Sequence, residues 1–476
     1  MDPLIAQLEQ AAIPKHAAPY DPGFRPAALW ARAYRKLAAA DPKRQTVRLA
    51  LGRLDGIVFH YALDILPWSE ATAAASYRLI ERTLKYLLWQ KGGCKVWVAG
   101  CPEAAARLAQ DYRAGGARAF DAEVMGETIF GAPFSVTACD ASDLPAAREP
   151  QFRMGGCWKG CRIGFDLGGS DRKCAAVIDG EVVHTEEVPW SPVTQADWTY
   201  HRDGIEDSLK RAAAHLPRVD AIGGSSAGVF VNNEARIASL FRAIPRPDFD
   251  AHVRSLFRDI EKAWNVPLVL MNDGEVTALA GSLSLNDRPV LGMAFGTSLA
   301  GGYCGGDGGL TPWLNELAFV PIDFRSAGAP QDDWSRDFGV GAQYLSQQAV
   351  GRLAVAAGAP FAPDCTGLPE RLAEMQRRLA AGDTLARDIF TAVGRFLGYA
   401  VAHADSFYAL KRFLALGRVT SGDAGDIIIR ESTQVLRDEF PDIAEKVTIE
   451  MPDEKSKRHG QAVVAASLPP DELIKA

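Results

Sequence analysis

The chain has 476 residues, room for about three domains of about 150 residues each. Hydrophobic residues make up 47% and charged residues 23%, the usage of an ordinary globular protein, which excludes wholesale disorder, collagen and coiled coil. With 52 Lys and Arg against 59 Asp and Glu the formal charge is −7, so a nucleic-acid backbone is not the expected partner.

No stretch reaches the roughly 18 uninterrupted apolar residues of a membrane helix. The start MDPLIAQLEQ lacks a basic segment followed by an apolar one, so a cytoplasmic protein with no membrane partner is expected. Eight scattered cysteines are too sparse for a disulfide framework, and reduced thiols are expected. Cys157 and Cys161 stand close together but lack the second Cys or His pair of a zinc site.

In chain order, residues 1–44 carry Pro14, Pro19, Pro22, Pro26 and Pro42 around one predicted helix, Ala27 to Ala40, and read as an arm packed on something else. From Thr46 alternation begins: TVRLAL, an Asp55-Gly56 turn and IVFHYAL predict a hairpin. A helix follows from Ser69 with Leu79, Leu84, Leu87 and Leu88 on one face, then the strand KVWVAG. The segment from Asp140 to Gly160 reads as a linker.

A second unit opens with the strand CRIGFDL and a glycine turn. A hairpin about Asp179-Gly180 comes next, then a helix marked by Ile205, Leu209 and Leu216, and the strand VDAIGGSS. The order strand, hairpin, helix, strand thus occurs twice, a faint internal echo. A third block runs from VPLVLMND through a helix near Gly274, the glycine-rich strands PVLGMAFGTSLAGGYC, helices between Val340 and Tyr408, FLALGRVTSGDAGDIII and a last helix from Gly460 to Leu468. Strands alternating with helices predict an α/β fold with mixed sheets.

Three glycine turns each follow a predicted strand: Asp166-Leu167-Gly168-Gly169-Ser170, then Gly296-Thr297-Ser298 with Gly301-Gly302, then Gly417 to Gly422 with Gly425. Turns without side chains let backbone N–H groups approach phosphate oxygens. Each alone reads as a structural turn; the series in this order points to a nucleotide. Arg172 and Lys173, just past the first turn, lie where they could reach an anion.

The DxGG[TS] turn, an Asn-Asp after a later strand, the GTS-x-x-GG turn and LGRVTSG resemble the motifs of the actin-like ATPase (ribonuclease H-like) fold, and within it the ROK family of repressors and sugar kinases. The resemblance covers Cys161 to Leu468 and leaves the first 155 residues unexplained. It implies a two-lobed mixed α/β fold plus an extra N-terminal α/β region: residues 1–155 accessory, 156–271 the first lobe, 272–476 the second, with the last helix returning to the first. It implies an ATP- and Mg²⁺-dependent sugar kinase in which Asp273 is the base that takes the proton of the sugar hydroxyl.

Carried over residue by residue, Asn272, Glu316 and Gly228 would contact the sugar. Asp166 would hold Mg²⁺ through water. Gly168, Gly169, Ser170, Gly296, Thr297 and Ser298 would line the phosphates, and Gly417 and Gly422 the adenosine. Against the family's Glu-x-Gly-His, Ala318 and Phe319 follow Glu316, which puts one sugar contact in question. PIDFRSAGAPQDDW carries no Cys or His, so no structural zinc is expected. Asp273 also reads as a helix cap and Asn272 as a turn former. The alternative activity is a sugar-sensing regulator or scaffold without turnover. A small-molecule sugar and ATP are the expected partners, nucleic acid is not, and a homodimer is left open.

Overall fold

The Asp55-Gly56 turn closes the expected hairpin: strands Gln45–Gly52 and Val58–Ile65 pair antiparallel, with Leu49 opposite Tyr61. The computed structural model describes residues 2–149, 154–363, 365–452 and 460–474; of the linker expected at 140–160, residues 150–153 lie outside these. Gln45–Gly52 also pairs antiparallel with Lys95–Ala99, which runs parallel to Ser135–Cys139, giving a four-stranded mixed sheet. The helix Ala73–Lys91 follows the hairpin and buries Leu79, Leu84, Leu87 and Leu88, the face that the spacing predicts.

These elements belong to a compact unit comprising 1–150, 294–301 and 313–451. The partition therefore groups the first 150 residues with the later helices, where the sequence reading set 1–155 apart. Aromatic packing is the physical reason. Phe24 of the proline-rich arm packs on Phe396 at 4.8 Å and on Tyr344 at 5.3 Å, while Trp30 of the helix Ala27–Ala40 meets Phe324 at 5.5 Å. The sequence pattern gave no sign of the first helix, Pro3–Ala11, which Asp2 caps by accepting from the Leu4 and Ile5 N–H groups.

The same unit buries an ion network. Lys85 is fully buried and donates to Asp121 at 2.7 Å and to Asp337 at 3.0 Å; Arg82 and Arg118 each pair with both Glu81 and Asp337. Burial alone would raise the Asp337 carboxyl, but Lys85 and Arg118 outweigh it and hold it at about 2.

The second unit comprises 151–293, 302–312 and 452–476. Its five-stranded sheet runs Leu268–Asn272, Ala221–Ser226, Cys161–Leu167, Asp171–Ile178 and Glu181–Pro189 in spatial order; the first three strands are mutually parallel and the last two antiparallel additions. Ile163, Phe165, Ile222 and Leu270 meet Ile205 and Leu209 of the helix Trp198–Ala213 and Phe257 of Leu256–Trp264 in one core. Ala175 and Val177 pack on Ala462 and Ala466 of the C-terminal helix Gly460–Ala466. Arg162, fully buried, donates to the Ala466 and Pro469 carbonyls and pairs with Asp471, pinning that segment to its strand.

The internal echo does not extend to topology. Three strands precede the helix in the second unit, so the strand after the helix, Ala221–Ser226, runs parallel to Cys161–Leu167. Two precede it in the first, and Lys95–Ala99 returns antiparallel to Gln45–Gly52. One strand fewer reverses the direction of return.

Candidate functional site

The carboxyl ends of three adjacent parallel strands of the second unit carry the candidate site. Asp166 stands opposite Ser225 in register, and Asn272 opposite Ser226. Open α/β sheets bind ligands at this end of their strands, because the loops leaving it are free of sheet pairing. The structure therefore gathers Asp166, Asn272 and Asp273, residues more than 100 apart in sequence between the first and the last, at one edge of one sheet.

Ser225 Oγ donates to Asp166 Oδ1 at 2.7 Å, and Lys173 Nζ lies 3.9 Å from Asp166 Oδ2. Burial raises the Asp166 carboxyl, Ser225 and Lys173 pull it part of the way down, the negative charges of Asp273 and Asp171 push it up, and the balance stands at about 6. Lys173 also donates to Asp171 Oδ1 at 2.5 Å. Arg172, its neighbour, is committed elsewhere, to Ser208 and Asp207. Ser226 Oγ is buried with no hydrogen-bond partner among the described residues.

The first glycine turn follows directly. Gly168 N–H donates to the Asp171 carbonyl at 2.9 Å, and Trp190 Nε1–H donates to the Gly168 carbonyl at 2.8 Å, which fixes the loop. A Cβ placed on Gly169 would meet nothing nearer than Val193 at 4.0 Å, so the backbone of this turn is open to close approach by a ligand. Ser170 Oγ donates to Asp171 Oδ2 at 2.9 Å.

Asn272 is the N-cap of the helix Asp273–Leu285, its Oδ1 accepting from the Gly274 N–H at 2.8 Å. Its Nδ2 donates to the Gly228 carbonyl at 2.8 Å. Gly228 has φ +146°, and a Cβ there would fall 2.5 Å from the Ile237 carbonyl oxygen; only glycine fits. Asp273 is the first helical residue, with Oδ1 accepting from the same Gly274 N–H at 2.9 Å. The capping role thus falls first to Asn272. Burial raises the Asp273 carboxyl above the usual carboxylate range, against the lowering effect of that N–H. A buried carboxyl, Asp166, and a half-buried one, Asp273, both raised, mark a functional-site candidate with a physical rationale.

The remaining expected residues lie in the other unit. Gly296 N–H donates to the Ser298 carbonyl at 2.9 Å, closing the turn that holds Thr297, and its own carbonyl accepts from Gln347 N–H. Gly417 has φ +96°, and a Cβ there would lie 2.6 Å from the Phe295 carbonyl oxygen and 2.7 Å from its nitrogen, so this turn packs against the residue preceding Gly296. Gly422, φ +62°, precedes the helix Asp423–Glu439 in open space. Glu316 N–H and Asn315 N–H donate to the Trp89 and Gln90 carbonyls at 3.0 and 2.9 Å, taking up carbonyls that the last turn of Ala73–Lys91 leaves free. Phe319 is buried among Trp89 at 4.4 Å, Trp334 at 4.8 Å and Phe120 at 6.5 Å. So Asp166, Gly168, Gly169, Ser170, Gly228, Asn272 and Asp273 fall in one unit, and Gly296, Thr297, Ser298, Glu316, Gly417 and Gly422 in the other.

Ser225, Ser226 and Trp190 were not among the residues singled out from sequence. Ser225 and Ser226 end the predicted strand VDAIGGSS, yet only register with Asp166 and Asn272 reveals their place. Trp190 carries no local signal at all.

Among the described residues no three His, Cys, Asp or Glu side chains converge as a metal shell, and no helix is long and apolar enough to cross a membrane. One carboxylate at a phosphate turn suits Mg²⁺, which keeps several waters and takes one or two protein carboxylates plus substrate phosphates.

No protein-family model matches the sequence, and no curated protein matches it. Solved structures do. The ROK hexokinase from Thermus thermophilus superposes with a TM-score of 0.50 at 16% identity, over 65% of this chain and 97% of that one. A ROK family glucokinase from Streptomyces griseus, in complex with glucose and AMPPNP, covers 65% of this chain and 99% of its own with a TM-score of 0.43 at 20% identity. A ROK family transcriptional regulator, described as a homologue of the E. coli MLC protein, covers 65% of this chain and 78% of its own with a TM-score of 0.45 at 19% identity. The hexokinase likeness shows the fold: over about two thirds of the chain it shares that protein's α/β architecture, with mixed sheets.

Proposed function

We propose that this protein is an ATP-dependent sugar kinase. The observation that carries the reading is the convergence of Asp166, Asn272 and Asp273 on the carboxyl edge of one sheet, with a turn open at Gly169 leaving the same edge. In this reading Asp273 accepts the proton of a sugar hydroxyl as its oxygen forms a bond to the terminal phosphorus of ATP; the bond from that phosphorus to the bridging oxygen breaks, and ADP carries away the electron pair. Asn272, held by Gly228, binds the sugar. Backbone N–H groups of Gly168, Gly169 and Ser170 take up phosphate oxygens. Asp166 would hold the water shell of Mg²⁺, which would supply neutralisation of phosphate charge.

Support for the reading comes from the raised Asp273 carboxyl, which places a base closer to working pH than an ordinary aspartate. The test is ADP release from ATP and Mg²⁺ with a panel of hexoses, amino sugars and N-acetyl sugars. At least one sugar should raise release well above the rate without acceptor; none doing so overturns the reading.

A sugar-sensing role without turnover is the second reading. Phe319 favours it: the residue at the position of the family's His is 7% exposed and packed among aromatic rings, so the loop offers one polar sugar contact fewer.

A further inference from the structure

The unit containing residues 1–150 and 313–451 holds a cavity of about 500 Å³ on the outer side of the ion network, lined by the helices Ala73–Lys91 and Pro102–Asp111 and by residues 323–329 and 337–338. Its charge pattern is uneven. Glu81 and Asp337 are each taken by Arg82 and Arg118, and Asp323 is taken by Arg325 and by the Tyr344 hydroxyl. Asp111 accepts from the Tyr77 hydroxyl. Every carboxylate on the wall therefore has a donor.

Two guanidinium groups on the same wall have no carboxylate within ion-pair distance among the described residues. Arg78 donates to the Ser326 hydroxyl at 3.1 Å and to the Phe324 and Arg325 carbonyls at 2.5 and 2.7 Å, all neutral acceptors, while its Nε–H is buried without a partner. Arg107 lies over the Tyr77 ring, 3.9 Å from its centroid, at the exposed mouth. Ring and carbonyls hold both groups in place, and the carboxylates of Glu9, Glu81 and Asp323 act on Arg78 only from beyond ion-pair distance. Guanidinium forks match the oxygens of a phosphate group two at a time, and a cavity of this volume takes more than a bare ion.

We propose that this cavity binds a small phosphate monoester, with Arg107 and Arg78 receiving its phosphate. The site lies apart from the residues assigned to the kinase reading and does not rest on it.

Binding to the full-length protein is measured by titration calorimetry with glucose 6-phosphate and, separately, inorganic phosphate, for the wild type and for Arg107→Gln and Arg78→Gln. The proposal expects glucose 6-phosphate to bind at least tenfold tighter than inorganic phosphate, and Arg107→Gln to weaken it at least tenfold while the thermal midpoint stays within about 2 °C of wild type, as for other surface changes. A ligand held only at the assigned phosphate turns would not respond to Arg107. Arg78→Gln should weaken binding likewise; if it unfolds the 324–326 segment, Arg107→Gln alone decides. No binding to the wild type, or unchanged binding in Arg107→Gln, overturns the site, and equal affinity for the two ligands overturns the ester assignment.

Discussion

Ser225 Oγ donates a hydrogen bond of 2.7 Å to Asp166 Oδ1 across two parallel strands whose registers place the residues side by side. Burial raises this carboxyl and the Ser225 bond is the largest of the effects that oppose it, leaving the group at about 6. Ser225→Ala should raise the Asp166 pKa further. The expected result is an acid limb in kcat/KM moved upward in pH, with a loss of about 1.5–3 kcal/mol in the ionised state, read from pH–rate profiles and from the carboxyl resonance by NMR.

Asp166 itself should cost stability. Its folded pKa of about 6 exceeds the ordinary 3.8, so the folded state holds the proton more tightly than the unfolded chain. The penalty is absent below the unfolded value, grows between about pH 4 and pH 6, and is complete above; it amounts to about 3 kcal/mol. Asp166→Asn should therefore stabilise the protein at pH 7.5 and do little at pH 4, by thermal or urea unfolding at the two pH values. Activity should fall in the same variant, the usual exchange of stability for function at a charged site.

The buried network makes the opposite prediction. Lys85→Met leaves Asp121 and Asp337 without their shared cation at a position with no exposure. Removing one partner of a buried ion set costs about 3–5 kcal/mol. Urea unfolding should show that loss.

Gly417→Ala should destabilise by about 1–3 kcal/mol, because φ +96° is strained for any side chain and the new methyl meets the Phe295 backbone. Gly169→Ala should leave stability nearly unchanged, since that methyl meets open space, yet weaken ATP binding if a phosphate approaches the turn. The contrast between unfolding and nucleotide-binding measurements separates a turn kept for the fold from one kept for a ligand.

Much of the fold was legible from local pattern. Alternation on either side of Asp55-Gly56 and the return of Leu79, Leu84, Leu87 and Leu88 gave the hairpin and helix, although the helix is buried on nearly every side, Glu81, Arg82 and Lys85 included. The site turns were legible for a different reason: glycines after strands mark backbone conformations that the motif string makes recognisable. What was not legible depends on long-range packing. Phe24 and Trp30 look like any aromatic residues until Phe396 and Phe324 meet them, so the membership of residues 1–150 in the unit of 313–451 could not be read. Ser225 becomes a site residue only through its register with Asp166.

The central claim is that Asp273 takes a proton from a sugar hydroxyl. Steady-state ADP release, with the acceptor sugar found in the panel, compares the wild type with Asp273→Asn while nucleotide affinity is followed separately. The account predicts a fall in kcat of about 10²-fold or more with ATP affinity retained. Turnover within a few-fold of wild type in the asparagine variant would contradict it.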